Sequence, residues 1–478
     1  MKKAKTLIIT APVRLQQYLM LELVRVTILQ YGRAHFPNVG KGSCGPDRGR
    51  ERRYGVTTVK LKYDREVLSC TLPEARVVVA EQLPEAPAAE ALVRRAMAEP
   101  IATPPLAEII KPGERVAIVT SDITRYSGSE IYLPILVDEL NRLGVPDKDI
   151  EVIIALGIHR KQTEEEHRKI VGPLYGRIAV YDHECDDPAQ LVELGTTAGG
   201  IPVQIFRRVV EAERVIVTGT VGFHYFAGFG GGRKGLVPGV ASRATCMASH
   251  FAVFNPPEIG GKHPLAVTGV LDGNPVHRNL LQAARMVEPD FLLNTVLAPT
   301  KEILGVFCGD LEQAHLAGCD MVRELFEVKL EEPVDLAVVS CGGYPKDINF
   351  IQAQKALDYG CRAVREGGAI ILLAACQDGF GYPTFYDWFR YQDLDEFERA
   401  LREDYQINGQ TAHSVLAKAR RFRVILVSEF SDEETCTMGM EKAADLQSAL
   451  DLVLPDLPAG AKIIAIPDGG MVLPTVVG

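Results

Sequence analysis

The ten cysteines of this 478-residue chain are scattered, and no two of them form a C-x-x-C pair. A chain this long buries enough core to need neither disulfides nor a structural metal. The simplest reading is reduced thiols in a cytoplasmic protein. Long apolar runs are missing as well. Charge breaks every apolar stretch well before the ~20 residues that a membrane span needs. Positive charge is in deficit, with 52 Lys and Arg against 62 Asp and Glu, a net charge of −10. Nucleic acid is bound through basic surfaces, so neither a membrane nor a nucleic acid is expected as partner. A single basic pocket for an acidic substrate remains open. No repeat of short fixed period is visible, and the two common nucleotide loops are absent, as shown below.

Basic residues are concentrated at the start. The first 54 residues hold eleven Lys and Arg against Glu22, Asp47 and Glu51, an excess of 8 that leaves about −18 for the remainder. The opening MKKAKTLIITAPVR has the look of a signal peptide, but Arg14 interrupts its apolar part and no small-residue cleavage site follows. The stretch GKGSCGPDRGRERR is rich in turn formers. Residues 1–55 are therefore expected to be a basic N-terminal extension, disordered or not native, and dispensable.

From Val56 onward the pattern is regular. TTVKLKYD alternates as a strand does. GERVAIVTSD, DIEVIIALG, RIAVYDH and ERVIVTGTVGF are short β-branched apolar runs, as are VDLAVVSCGGYP, GGAIILLAACQDG, FRVILVSEF and AKIIAIPDGG in the last third. Helical spacing covers Ile131–Leu143, and Thr163 with Glu166 forms a T-x-x-E capping box. Strands alternating with helices predict an α/β protein with mainly parallel sheets flanked by helices. The charged, proline-containing EVKLEEPVD suggests a boundary near residue 330. The expected division is a domain over 56–330, a second α/β domain over 331–458, and a segment over 459–478 that returns to the first. The active site is expected in the cleft between the two domains.

Ligands of open α/β sheets bind beyond the carboxyl ends of the strands. Three polar clusters stand there: Ser121-Asp122-Ile123-Thr124-Arg125, Gly157-Ile158-His159-Arg160, and GTVGFHYFAGFGGGRKGLVPGVAS with His224 and Lys234. Each has a bland alternative. A lone histidine after a strand is commonly structural, a D-x-T-R turn is commonly a helix cap, and a glycine loop can be a flexible loop with solvated cations. Three clusters at equivalent strand ends favour one shared pocket. The glycine segment is not a P-loop, because Gly235 follows Lys234 where Ser or Thr is required. Its glycines also miss the G-x-G-x-x-G spacing. His250, with apolar neighbours at helical spacing, fits a core histidine or a metal ligand. Gln352 and Lys355 lie three residues apart and would share one helix face, able to grip a carboxylate or to face solvent.

From about Val56 to the C-terminus the chain resembles the nickel-pincer lactate racemase family. The resemblance is carried by GFHYFAGFGGGRKGLVPGVAS continuing to MASH, and by SDITR, ALGIHR, GGYPKD and QAQK. It implies a racemase or epimerase that inverts C2 of a small 2-hydroxy acid by hydride transfer. Lys234 would carry a covalently attached pyridinium mononucleotide that binds nickel through two sulfurs and a ring carbon. His250 would be the nickel's fourth ligand, and cofactor-maturation enzymes would be partners. His159 and His224 would be the acid/base pair. Asp122, Thr124 and Arg125 would hold cofactor or substrate, and Gln352 and Lys355 would orient the substrate. The chain departs from the lactate-specific pattern at Ile351, where an aromatic residue is expected, and in CQDGFGYPTFYDWF, which keeps part of a glycine-rich loop. Both departures bear on which 2-hydroxy acid is taken. The competing readings are a nicotinamide-dependent dehydrogenase, which the missing fingerprint disfavours, and a non-catalytic cofactor carrier, which would need no histidine pair.

Overall fold

A computed structural model describes residues 55–80 and 83–477. The expectation of a dispensable basic extension falls, but for Gly55, outside the described residues.

Two six-stranded sheets organise the chain. The first runs, in spatial order, Ile303–Gly309, Phe291–Leu297, Arg214–Thr220, Val116–Ser121, Ile150–Ala155 and Ala179–Asp182. Only its first pair is antiparallel. The second runs Glu441–Ala443, Arg423–Val427, Val364–Leu373, Val334–Ser340, Ile463–Ile466 and Arg76–Val77, parallel throughout. Both are built from the short β-branched runs seen in the sequence. Such runs suit strands covered on both faces, and the cores bear this out: Val119, Val152, Ile216, Val338, Ile371 and Leu426 are all buried. Helices flank both sheets, as the α/β pattern predicts.

The first and last described segments meet at the second sheet. The hairpin Val56–Tyr63 with Glu66–Pro73 packs Leu61 and Leu72 into the same core as Leu336 and Ile371. Arg76–Val77 then adds an edge strand beside Ile463–Ile466. Further on, Leu473–Val476 pairs in parallel with Glu327–Leu330. The charged EVKL segment is thus a strand rather than a bare connection.

The predicted helix after Val116–Ser121 spans Ser129–Arg142. Thr163 caps Glu164–Val171 with both arms of the capping box formed. The second sheet with the helices packed on it forms a second layer, and two of those helices supply residues to the site, Phe350–Gly360, capped by the Asn349 side chain, and Gly409–Arg421.

Candidate active site

Val116–Ser121, Ile150–Ala155 and Arg214–Thr220 are parallel, with Val116–Ser121 flanked by the other two. Their carboxyl ends therefore fall on one edge, and the three polar clusters are brought together by sheet geometry alone.

The first cluster builds a carboxylate–imidazole pair. Asp122 is buried, and its Oδ2 lies 2.5 Å from His159 Nδ1. Its Oδ1 accepts from the Thr124 amide at 2.9 Å and the Thr124 hydroxyl at 2.6 Å. Burial pushes the carboxyl up, but the bonds from His159 and Thr124 and the Arg125 charge together hold it below its ordinary range. A buried carboxylate of this kind is acceptor-only, so His159 Nδ1–H donates to it and the Nε2 lone pair is free.

His224 is held in the opposite sense. Its Nδ1 accepts from the amides of Phe226 at 3.5 Å and Ala227 at 3.3 Å, so Nε2 carries the proton of the neutral ring. Burial drives its pKa well down, and the charges of Lys234, His250, Arg125 and Lys355 add to the effect. Those charges come from two loops, which carry Arg125 and Lys234, and from two helices, Arg243–Phe251 with His250 and Phe350–Gly360 with Lys355. The Tyr225 ring stacks on His224, with centroids 5.2 Å apart and planes inclined by 15°.

Phe226, which the sequence reading passed over, forms the floor. It touches the His224 ring edge to face at 4.5 Å and the His250 ring at 5.4 Å, and Lys234 Nζ stands 5.7 Å above it. Lys234 itself lies in a one-turn 3-10 segment, Gly232–Gly235. Burial, then the neighbouring Arg233 charge, lowers its amine to about 7.

At several positions the glycine loop brings backbone close to the rest of the protein. A Cβ on Gly228, at φ +76°, would stand 2.2 Å from the Val270 carbonyl. One on Gly231, at φ +72°, would meet the Thr220 carbonyl and Asn294 at 2.8 Å. Arg233 does not face the cleft either. It is 1% exposed and donates to the carbonyls of Ala227 at 2.8 Å and Phe229 at 3.0 Å, with Nη1 2.9 Å from His315 Nε2. Arg233 therefore clamps the loop that presents Lys234.

His250 lies on the helix Arg243–Phe251, capped by Ser242. Its Nδ1–H donates to the Cys246 carbonyl at 2.8 Å, which leaves the Nε2 lone pair unused. Burial, then the Lys234 charge, lowers it to about 4, so the ring is neutral near pH 7. A neutral imidazole with a carbonyl on its far nitrogen is the usual state of a metal-ligating histidine.

From the second layer, Gln352 and Lys355 are paired as their spacing predicts, with Lys355 Nζ donating to Gln352 Oε1 at 2.6 Å. Burial, then the Arg125 charge, lowers Lys355 to about 7. Gln352 is the only polar side-chain partner of Lys355 among the described residues. The Arg125 charge, from the loops of the first sheet, thus bears on Lys355 from the helix Phe350–Gly360, and Lys355 has no carboxylate partner among the described residues. Ile351 is half-buried on the same helix, and its amide donates to the Phe380 carbonyl at 3.2 Å.

The fold is an α/β one of two helix-flanked six-stranded sheets, with histidines and lysines gathered beyond the carboxyl edge of the first. Residues 63–260 match the lactate racemase N-terminal domain, and residues 329–473 match the lactate racemase C-terminal domain. A lactate racemase of Thermoanaerobacterium thermosaccharolyticum is 33% identical over 430 residues, which are 87% of this chain and 99% of that protein. A lactate racemase of Lactiplantibacillus plantarum is 33% identical over 427 residues, 87% of this chain and 97% of that protein. The solved structure of the T. thermosaccharolyticum lactate racemase apoprotein superposes with a TM-score of 0.78 at 32% identity, covering 87% of this chain and all of that one. The chain belongs to the lactate racemase family and is an enzyme of the isomerase class.

Proposed function

We propose that this enzyme inverts C2 of a small 2-hydroxy acid. The observation that carries the reading is the meeting, in one cleft, of a free Nε2 lone pair on His159, an Nε2–H on His224, and two cations, Arg125 and Lys355, bearing on each other from opposite layers. A carboxylate between the cations relieves their repulsion, with Arg125 offering a planar fork and Lys355 a point charge. Gln352 uses its oxygen on Lys355, which leaves its amide N–H groups for the substrate. His159 takes the hydroxyl proton, and Asp122 steadies the imidazolium so formed. His224 presents an Nε2–H hydrogen-bond donor to the oxygen on the other side of the cleft, and for the opposite enantiomer it takes the hydroxyl proton at Nε2 in the Nδ1–H tautomer, giving up its two long amide contacts.

The donor set fits the nickel-pincer nucleotide that the family resemblance implies. Lys234 is a buried amine that loses its proton near pH 7 and can form a covalent bond to the cofactor. His250 offers one free imidazole lone pair to the nickel. When bound, such a pyridinium supplies a hydride acceptor for the C2 hydrogen, which is not acidic enough for easy removal as a proton.

The cofactor would call for maturation enzymes as partners. The nine cysteines of the described residues are all free, which suits a reducing cytoplasm. Among the described residues, no helix is long and apolar enough to cross a membrane. We place the cofactor side of the site on the first sheet's loops and the substrate-orienting side on the helix Phe350–Gly360. The test is a panel of single-enantiomer 2-hydroxy acids given to cofactor-loaded protein and followed by polarimetry. Inversion of one or more is expected, and inertness toward the whole panel would refute the reading.

A further inference from the structure

The residue next to His224 ties it to the other layer. Tyr225 stacks its ring on the His224 imidazole, while its hydroxyl lies 2.8 Å from Thr411 Oγ1 on the helix Gly409–Arg421. Gln410 Nε2 donates to the same hydroxyl at 3.4 Å, and Tyr405 donates to Gln410 Oε1 at 2.6 Å. The directions are consistent along the chain. Tyr405 O–H donates to Gln410, Gln410 N–H donates to Tyr225, and Tyr225 O–H is left to donate to Thr411. Thr411 and Gln410 are buried, so these bonds do not compete with bulk water. The Tyr405 ring packs edge to face on Phe251 at 5.2 Å, and Phe251 is the residue after His250. The second layer therefore reaches both histidine-bearing segments of the first through one hydrogen-bonded chain.

A stacked ring with a free hydroxyl would only pack. A stacked ring whose far end is fixed sets the plane of its neighbour as well, because turning the imidazole pushes the phenol off its partners. Apart from the edge of the Phe226 ring, His224 has little else to hold it, since its own hydrogen bonds are two long amide contacts to Nδ1. We propose that Tyr225 is a positioning residue for His224 and that Thr411 and Gln410 are its anchor, so that the second layer sets the orientation of a histidine carried by the first. The proposal rests on the reading of His224 as an acid/base group, and it adds which residues aim it. It also makes the site depend on the two layers staying in register, since parting them unpins the phenol before any residue that meets the substrate is touched.

The test uses full-length protein and reads His224 without requiring turnover. Histidine-selective isotope labelling gives the imidazole signals, with His224 assigned through His224→Gln. Thr411→Val removes the hydroxyl and keeps the shape, and Thr411 does not touch His224 directly. The variant is expected to shift the His224 ring signals. In cofactor-loaded enzyme it is expected to lower kcat about 3- to 10-fold, with KM within about twofold. Tyr225→Phe, which keeps the stacked ring, should do the same. The double variant should be no worse than either single one, because both break one chain. Thr411→Ser should restore signals and rate. Unmoved His224 signals in Thr411→Val, or losses that add in the double variant, would overturn the proposal, as would a fall in melting temperature with the signals in place. Signals that follow Thr411 in a protein that inverts no 2-hydroxy acid would uphold the positioning chain and refute the assigned reaction, so the two failures are distinguishable.

Discussion

His159 and His224 face the cleft in opposite states because their far nitrogens meet opposite partners, a buried carboxylate and a pair of amides. Asp122→Asn removes the charge that stabilises a protonated His159 and allows the amide to select the wrong tautomer. It should lower kcat about 10²- to 10⁴-fold with a smaller change in KM, measured on loaded enzyme. Lys234 gives a second residue-scale outcome. Burial and the Arg233 charge lower its amine to about 7, against ~10.4 for an exposed lysine. In the cofactor-free protein, acylation of Lys234 read by peptide mass should therefore rise to half its maximum near pH 7 while exposed lysines stay slow. A profile rising only near pH 10 would show an ordinary amine. Asp122, His159, His224 and Lys234 were legible as candidates because polar residues beyond β-branched runs stand out, and helical spacing paired Gln352 with Lys355, whereas His250 was singled out as a metal ligand only by the family resemblance. Tyr225, Phe226, Arg233 and His315 were not. Aromatic residues beside a histidine look like core, and nothing local shows that Arg233 turns inward to carbonyls.

At the scale of elements, many strands of both sheets were legible where four or more β-branched or apolar residues ran together, as at Val116–Ser121 or Val334–Ser340, while Phe291–Leu297 and Ile303–Gly309, interrupted by Asn294 and Gly305, were not. Their pairing partners were not. Arg76–Val77 is two residues long and becomes a strand only because Ile463–Ile466 is beside it. Glu327–Leu330 is too charged to look like a strand until Leu473–Val476 pairs with it. The capping box was fully legible, since it depends on two side chains three residues apart. Thr163→Ala should cost about 0.5–2 kcal/mol by denaturant titration and leave turnover unchanged, because the helix Glu164–Val171 holds none of the site residues. Gly231→Ala should behave differently. It forces a side chain into positive φ and against Thr220 and Asn294, so it should disturb the loop that presents Lys234. Its expected signature is a loss of Lys234 acylation near pH 7 that exceeds any loss of stability.

Over the whole molecule, a buried ion cluster joins the segment after His250 to the second layer. Asp358 accepts from Lys418 at 2.8 Å and from the Thr268 hydroxyl at 2.7 Å, and the charge of Lys262 also bears on it. Burial raises this carboxyl, but Lys418 and Lys262 outweigh burial and hold it below its ordinary range. A carboxylate depressed in the folded state contributes stability above its unfolded pKa of ~3.9 and loses it as pH falls through the lower folded value. Asp358→Asn leaves two lysines without their counter-charge and should cost about 3–5 kcal/mol near pH 7. The variant should also lose the part of the acid sensitivity below pH ~4 that Asp358 supplies, which melting curves against pH would show. The central claim concerns the reaction itself and is tested most directly by one isotope experiment. Cofactor-loaded enzyme is given a single enantiomer of a 2-hydroxy acid deuterated at C2, in ordinary water, and the product is analysed at early conversion for configuration and label. A C2 hydrogen that leaves with its electron pair stays off the exchangeable nitrogens of His159 and His224, so the account predicts the opposite enantiomer with its deuterium retained. Inverted product carrying solvent hydrogen at C2 would contradict it, because the histidines would then be moving the C2 hydrogen rather than the hydroxyl proton.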